Sequence, residues 1–192
     1  MRFRRRYPPQ RCRAPAALAK GDGKRDRVLI LISLPWRNLA HQCSMPMNTS
    51  QTVQRLLLLC DTVPPLLKGM DEAEFSRQPA PGKWSKKQIL GHLIDSAANN
   101  HQRFVRAQFE DRPRISYDQN EWNRCSRYEN FEAGQLIDLW AAYNRHLATL
   151  LSLIPEEDLK RTCDNGKEEH TLAWLFEDYV GHLEHHLGQI GI

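Results

Sequence analysis

Three histidines in this sequence have the residue type and spacing needed to bind a metal ion. His182 and His186 are four residues apart, so on a helix their side chains would lie on one face with Cβ atoms about 5–6 Å apart. Two imidazole nitrogens at that separation can reach one ion at about 2.0–2.1 Å. A third ligand must come from another segment, and His92 is the candidate because apolar residues flank it. A histidine in such surroundings can equally be an ordinary core residue, so spacing alone leaves both alternatives open.

The other histidines lack a partner at useful spacing. His185 would point about 100° away from His186 on a helix, and His101 follows His92 by nine residues, which places it on the opposite side of its helix. We expect the histidines outside the candidate cluster to be surface or ordinarily hydrogen-bonded side chains. They are His41, His101, His146 and His170.

Four long helices are predicted to carry these side chains, because apolar residues recur at spacings of three and four in four segments. The segments are residues 50–70, 85–109, 131–154 and 171 to nearly the C-terminus. Ser85 followed by Gln88 is a capping-box pattern, Thr171 is an expected N-cap, and Pro64-Pro65 should kink or break the first helix. With no convincing strand and no internal repeat, the expected fold class is all-α, a four-helix bundle.

Residues 111–130 form a predicted connection between the second and third long helices. A connection of about 20 residues in a compact domain is uncommon and usually functional, and its aromatic residues argue that it packs against the bundle. We expect Tyr117, Asp118 and Trp122 to line the mouth of a pocket and to contact substrate.

Residues 1–46 differ from the remainder in charge. They hold 11 Lys+Arg and 2 Asp+Glu, which leaves 16 of the 27 basic and 21 of the 23 acidic residues to residues 47–192. We interpret residues 1–46 as a disordered extension or a mis-assigned start, with Met45 or Met47 as the natural start; a signal or organelle-targeting peptide is the alternative. Because the predicted domain, residues 47–192, is mildly acidic, we expect no specific binding of nucleic acid.

Cysteine usage and hydropathy favour a soluble, cytoplasmic protein. The five cysteines include no C-x-x-C pair, and an odd, scattered set is neither a zinc-ribbon nor a disulfide pattern. Cys60 lies in an apolar helical stretch and is expected in the core. The longest apolar run, residues 28–34, is far shorter than the roughly 18 residues of a membrane helix.

Several short motifs follow one another along residues 82–190. They are Gly82-Lys83-Trp84-Ser85 with Gln88, Gly91-His92-Leu93-Ile94-Asp95-Ser96, Arg103-Phe104, Tyr117-Asp118-Gln119-Asn120-Glu121-Trp122, and His182-Leu183-Glu184-His185-His186 before Gly188-Gln189-Ile190. With these motifs, essentially the whole chain after Met47 resembles the DinB/YfiT-like family of metalloenzymes, and within it the YfiT branch. Three separate histidine positions in the right order make the resemblance specific.

The resemblance implies a bundle of up-down-down-up topology that holds one divalent ion, nickel or zinc. The ligands would be His92 from the second long helix and the pair His182 and His186 from the fourth. Three neutral imidazoles leave a coordination position for water or substrate, and such an ion can lower the pKa of bound water to about 7 or activate a thiolate. Proteins similar to this one include metal-dependent hydrolases and S-transferases that use low-molecular-weight thiols such as bacillithiol.

We therefore expect a metal-dependent enzyme that transfers a low-molecular-weight thiol to an electrophilic small molecule. The alternatives are a metal-dependent hydrolase and a non-catalytic metal-binding stress protein. Asp95, three residues after His92, and Asp178, four residues before His182, are candidate catalytic groups that could orient a ligand or take a proton. Arg103 could hold an anionic substrate. A homodimer is compatible with a bundle of this size.

Overall fold

Four long helices carry the core of the structure. The computed structural model describes residues 48–192, and the predictions made for residues 1–46 lie outside them. The helices of this part are α1 (Thr49–Lys68), α2 (Glu72–Ser76), α3 (Lys86–Arg106), α4 (Gln119–Ser126), α5 (Ala133–Leu153) and α6 (Leu172–Ile190). Two short 3-10 helices span Tyr128–Asn130 and Glu156–Asp158, and an antiparallel pair, β1 (Thr162–Asp164) and β2 (Glu169–Thr171), connects α5 to α6.

The four long helices α1, α3, α5 and α6 pack together as a four-helix bundle, which confirms the predicted fold class. Both α1 and α3 contact α5 and α6. Burying one large apolar side chain contributes about 1.5–3 kcal/mol, so large buried residues dominate the stability of the bundle. The largest of them are Trp140, Tyr179, Phe75, Phe104 and Phe176. Cys60 is also buried in this core, as expected.

Side-chain caps fix where the two histidine-bearing helices begin. The hydroxyl of Ser85 accepts a hydrogen bond from the Gln88 amide at 3.2 Å, and Gln88 Oε1 accepts one from the Ser85 amide at 2.9 Å. Thr171 Oγ1 accepts a hydrogen bond from the Trp174 amide at 3.2 Å. These contacts satisfy amide groups that lack helical partners, and they confirm both predicted caps. The start of each helix then determines which way each histidine projects.

The break expected at Pro64-Pro65 does not occur, and α1 continues through both prolines to Lys68. Pro64 has no N–H to donate to the carbonyl of Cys60, four residues earlier. Arg145 from α5 replaces that donor, because its Nη2 donates to the Cys60 carbonyl at 2.9 Å while Nη1 donates to Asp61 Oδ1 at 2.6 Å. A tertiary contact therefore offsets the local cost of the first proline.

Two expectations about the connections are wrong. The chain does contain strands, since β1 and β2 form a hairpin whose turn has Gly166 at φ 97° and amides bonded to the Asn165 side chain. Residues 111–130 are not a continuous loop, because they contain α4 and the 3-10 helix Tyr128–Asn130. Strands of three residues and a helix of eight are too short for apolar periodicity to predict.

The described residues contain neither a membrane span nor a disulfide. None of the helices in residues 48–192 is both long enough and apolar enough to cross a bilayer. Cys60, Cys125 and Cys163 are all free thiols; Cys125 is exposed and the other two are buried.

Candidate metal centre

The three predicted ligands come together between α3 and α6. His92 lies two turns into α3 and is fully buried, while His182 and His186 lie one turn apart on α6 and are partly buried. The ring centroid of His92 is 5.0 Å from that of His182 and 4.8 Å from that of His186, and the latter two are 4.5 Å apart. One nitrogen from each ring can be chosen so that all three lie within 4.8 Å of one another. The structure thus brings together a ligand set that the sequence separates by 90 residues.

The spacing of the imidazole nitrogens fits a shared cation. His92 Nε2 and His182 Nε2 face each other at 3.2 Å. Two ligand atoms that are each about 2.0–2.1 Å from one ion lie about 2.8–3.0 Å apart in octahedral geometry and about 3.3–3.4 Å apart in tetrahedral geometry. A direct contact between the rings can hold only one hydrogen bond, and the Nδ1 atoms of both rings are buried without a protein partner in the described part of the chain. A cation bound to both Nε2 lone pairs therefore satisfies these two nitrogens better than a direct hydrogen bond between the rings does.

The surroundings keep the histidines neutral, which is the form that binds metal. Burial, and then the neighbouring His186, lowers the pKa of His92 to about 4. Burial together with the other imidazoles lowers the pKa of His182 to about 3. Burial also lowers the pKa of His186, and the hydrogen bond that its Nδ1–H donates to Gln189 Oε1 opposes that shift. At neutral pH each ring therefore has a lone pair available.

Gln189 and Trp84 complete the immediate surroundings of the three rings. Gln189 Oε1 lies 2.9 Å from His186 Nδ1, and its Nε2 lies 3.0 Å from His185 Nε2. An acceptor on Nδ1 fixes the tautomer in which Nε2 is free to bind a metal. The Trp84 ring packs against His92 with centroids 5.2 Å apart. Neither residue was expected to have a role, although both lie in the motifs named above and Gln189 follows His186 by three residues.

Asp95 lies one turn after His92 and is held by Tyr128. The Tyr128 hydroxyl donates to Asp95 Oδ1 at 2.5 Å, and Asp95 Oδ2 is buried without a partner among the described residues. Burial raises the pKa of Asp95 to about 6, and the hydrogen bond from Tyr128 opposes that shift. The ring of Tyr128 occupies the space where a side chain at Gly91 would lie. Tyr128 therefore packs on α3 at Gly91, which leaves room for its ring, and at Asp95, which accepts its hydrogen bond.

The second candidate acid, Asp178, differs from Asp95. It lies on α6 one turn before His182, its side chain is exposed, and in the described part of the chain it makes no hydrogen bond. The charges nearest to it belong to His170 and Arg103. Asp178 is therefore exposed on α6, whereas Asp95 is buried on α3.

Two of the four predicted substrate contacts hold the backbone in place. Arg103 donates from Nε and Nη2 to the Ile115 carbonyl at 3.2 and 3.0 Å, and from Nη1 to Asn100 Oδ1 at 3.1 Å. Asp118 caps α4 by accepting hydrogen bonds from the amides of Asn120 and Glu121 at 2.9 and 3.1 Å. Both side chains thus have structural partners that the sequence did not predict.

Tyr117 and Trp122 pack against each other at the edge of the bundle. Their ring centroids are 5.4 Å apart in an edge-to-face arrangement. Burial raises the pKa of Tyr117, and Ser96, one turn after His92, is among the groups nearest its hydroxyl. Trp122 is 38% exposed. Tyr117 therefore packs near Ser96 of α3, and its role at a pocket mouth, like that of Trp122, stays a prediction.

An open cleft of about 550 Å³ lies next to the three histidines. Trp84 and Gln189 connect the cleft to the metal centre, since they contact the histidine rings and also form part of the cleft wall. Lys83 is the only charged residue of the lining. The cleft is lined by Pro79, Gly82, Lys83, Trp84, Ile89, Gln119, Asn120 and Gln189. None of the predicted substrate contacts is among these residues.

The fold and the three imidazoles define a class: a four-helix bundle with a candidate three-histidine metal centre. Residues 56–190 match the family model of the DinB superfamily. That match covers most of the chain, which therefore belongs to the DinB superfamily.

Known proteins similar to this chain carry related names. A protein of Geobacillus thermodenitrificans named "Putative metal-dependent hydrolase" is 27% identical over 135 residues, which cover 69% of this chain and 76% of the relative. YfiT of Bacillus subtilis, named in the same way, is 26% identical over 124 residues, covering 63% and 70%.

Solved structures support the fold. The structure of YfiT from Bacillus subtilis, described as "a probable metal-dependent hydrolase with an unusual four-helix bundle topology", superposes with a TM-score of 0.69 at 23% identity and covers 74% of this chain and 83% of that one. A DinB-like protein from Bacillus cereus superposes with a TM-score of 0.55 at 15% identity, with coverages of 77% and 91%.

Proposed function

We propose that this protein is a divalent-metal-dependent enzyme that hydrolyses a small-molecule substrate, with one nickel or zinc ion bound by His92, His182 and His186. The observation that carries the proposal is the convergence of three neutral imidazoles beside an open cleft. Relatives at 26–27% identity are named as metal-dependent hydrolases, which favours the hydrolytic alternative of the sequence analysis over thiol transfer.

The ligand set determines what the centre can do. A divalent ion held there would supply Lewis-acid chemistry, which lowers the pKa of bound water to about 7 and stabilises a thiolate. The three imidazoles add no negative charge, so they leave the full charge of the cation to attract an anionic nucleophile. Trp84 shields one side of His92 from solvent, and Gln189 orients His186. The chain's contribution is a preformed and uncharged ligand set.

Asp95 is the proposed proton acceptor. With a pKa of about 6 it is mostly a carboxylate at pH 7, and a general base works best when its pKa lies near the working pH. Its Oδ2 atom is free to accept a hydrogen bond, while Tyr128 holds Oδ1. Asp178 is the second candidate, exposed on α6.

We assign substrate binding to the cleft. Lys83 provides a positive charge, and Gln119 and Asn120 provide amide donors and acceptors in the cleft lining. Tyr117 and Trp122 remain predicted contacts at the rim. Arg103 and Asp118 also remain predicted substrate contacts. Their hydrogen bonds to Ile115, Asn100 and the start of α4 leave them less free to turn toward a substrate.

Thiol transfer is the second candidate, and the size of the cleft favours it. A volume of about 550 Å³ lies in the range of about 300–1,000 Å³ that holds drug-sized ligands, so a small thiol and an electrophile could bind together. A small-molecule substrate, a homodimeric state, cytoplasmic location and the absence of nucleic acid or membrane partners remain predictions.

One pair of assays separates the two reactions. Zinc- and nickel-loaded protein is incubated with a panel of activated esters and amides, and separately with cysteine or glutathione plus 1-chloro-2,4-dinitrobenzene. We expect metal-dependent ester or amide hydrolysis that His186→Ala abolishes and His185→Ala retains, because His185 is exposed and lies outside the ligand set. Thiol conjugation without hydrolysis would favour the second candidate. Metal-loaded protein inactive in both assays would refute the enzymatic proposal for these substrate classes.

A further inference from the structure

Two more imidazoles meet on the other side of α3. His101 follows His92 by nine residues and so projects from the opposite face of the helix, where it meets His146 of α5. The ring centroids are 5.0 Å apart with an interplanar angle of 69°. The corresponding values for His92 and His182 are 5.0 Å and 72°. The two pairs therefore share nearly the same ring-centroid separation and interplanar angle.

A neighbouring tyrosine holds one nitrogen of His101. The Nδ1 atom lies 3.0 Å from the hydroxyl oxygen of Tyr143. When Nδ1–H donates to that oxygen, Nε2 presents its lone pair, and a metal-binding histidine commonly has its other nitrogen held in this way. His186 with Gln189 has the same arrangement in the three-histidine centre. Burial, aided by His146, lowers the pKa of His101, so its ring is neutral at pH 7.

Tyr143 packs against both rings, and in the described part of the chain no carboxylate forms an ion pair or a hydrogen bond with either of them. His146 is exposed and His101 is partly exposed, so ions from solution can reach both rings. The pair offers two imidazole nitrogen donors and open positions for water.

We propose that His101 and His146 form a second binding site for a transition-metal ion, separate from the three-histidine centre and weaker because it has two protein ligands. Among divalent first-row ions, Cu²⁺ binds nitrogen sites most tightly, so Cu²⁺ is the ion that this pair would take best. The site does not depend on the proposed function, because it shares no ligand with the other centre.

Copper binding to the full chain tests the site without any activity assay. Equilibrium dialysis of Cu²⁺ with metal analysis gives the stoichiometry, and electron paramagnetic resonance reports nitrogen ligands. We expect His146→Ala and His101→Gln each to bind one equivalent fewer than the wild-type chain. His170→Ala is the matched control, since His170 stacks on Trp174 with centroids 3.6 Å apart and, among residues 48–192, lies next to no second histidine ring. This variant should bind as much copper as the wild-type chain.

Tyr143→Phe tests the role given to the hydroxyl. Removing an outer partner of a metal-binding histidine typically weakens metal affinity about 10–100-fold, so this variant should keep the second equivalent but bind it at least about tenfold more weakly. Because His146 is exposed, His146→Ala should keep the fold, which circular dichroism checks. Unchanged stoichiometry in both histidine variants, or an equal loss in His170→Ala, would overturn the site; unchanged affinity in Tyr143→Phe would overturn the tautomer on which it rests.

Discussion

Replacing Gly91 by alanine places a methyl group inside the ring of Tyr128. The added Cβ would lie 2.1 Å from Cδ2 and 2.3 Å from Cγ of that ring, whereas carbon atoms in contact lie about 3.5–4.0 Å apart. The ring must therefore move by at least about 1.4 Å to restore a normal contact. Such a movement pulls the Tyr128 hydroxyl away from Asp95 Oδ1, which it now contacts at 2.5 Å.

The free energy of unfolding should fall by about 3 kcal/mol, within a range of about 1–5 kcal/mol. Overpacking a core costs about 1–3 kcal/mol. Losing the hydrogen bond to a buried carboxyl group, whose second oxygen already lacks a partner, costs about 1–3 kcal/mol more. The higher helix propensity of alanine returns about 1 kcal/mol. For a chain of this size the net loss corresponds to a fall in Tm of about 6–12 °C.

Urea unfolding followed by circular dichroism measures the effect. Gly181→Ala is the matched control, because it makes the same change within α6 at a site where the added Cβ meets nothing within 4 Å; it should gain up to about 1 kcal/mol. In a Tyr128→Ala background, Gly91→Ala should cost less than about 1 kcal/mol, because the obstructing ring is gone. If Gly91→Ala is as stable as Gly181→Ala, the packing argument is refuted.

Three further predictions concern stability. First, the metal-free protein should lose about 1.4 kcal/mol per pH unit near pH 5. His92 and His182 stay neutral in the fold but are protonated in the unfolded chain below about pH 6.5, while Asp95, with a folded pKa of about 6, binds one proton in the fold and offsets one of the two. A flat profile between pH 7 and 5 would contradict these shifts. Second, Asp95→Asn removes that offset, so the slope near pH 5 should approach about 2.7 kcal/mol per unit; an unchanged slope would exclude the raised carboxyl pKa. Third, Arg145→Met removes the donor to the carbonyl freed by the first proline and should cost about 1–2 kcal/mol in urea unfolding, whereas Arg124→Met, which loses only an exposed pair, should stay within about 0.5 kcal/mol.

The histidine pair of α6 and the long helices could be predicted because they rest on strong signals. Apolar residues repeat over about 20 residues in each long helix, and side-chain caps at Ser85 and Thr171 mark two of the starts. The four-residue spacing of His182 and His186 forces their rings onto one face. That His92 meets them does not follow from spacing, and it was expected only through the family resemblance.

The contacts that sequence could not predict are tertiary ones. Nothing near Pro64 indicates that Arg145, more than 80 residues away, would supply the missing donor. The roles of Gly91 and Tyr128 depend on a ring that packs directly against the backbone of α3. The hairpin is a different case, since its strands are too short for periodicity to separate them from a loop.

Metal content tests the central claim most directly. The full chain and its variants are loaded with nickel or zinc, desalted and measured by elemental analysis. The wild-type chain and His185→Ala should each retain about one ion per chain, the complement of a single three-histidine site, while His92→Ala and His186→Ala should lose most of it. Full metal retention by both of the latter variants would contradict the assignment of these histidines as ligands.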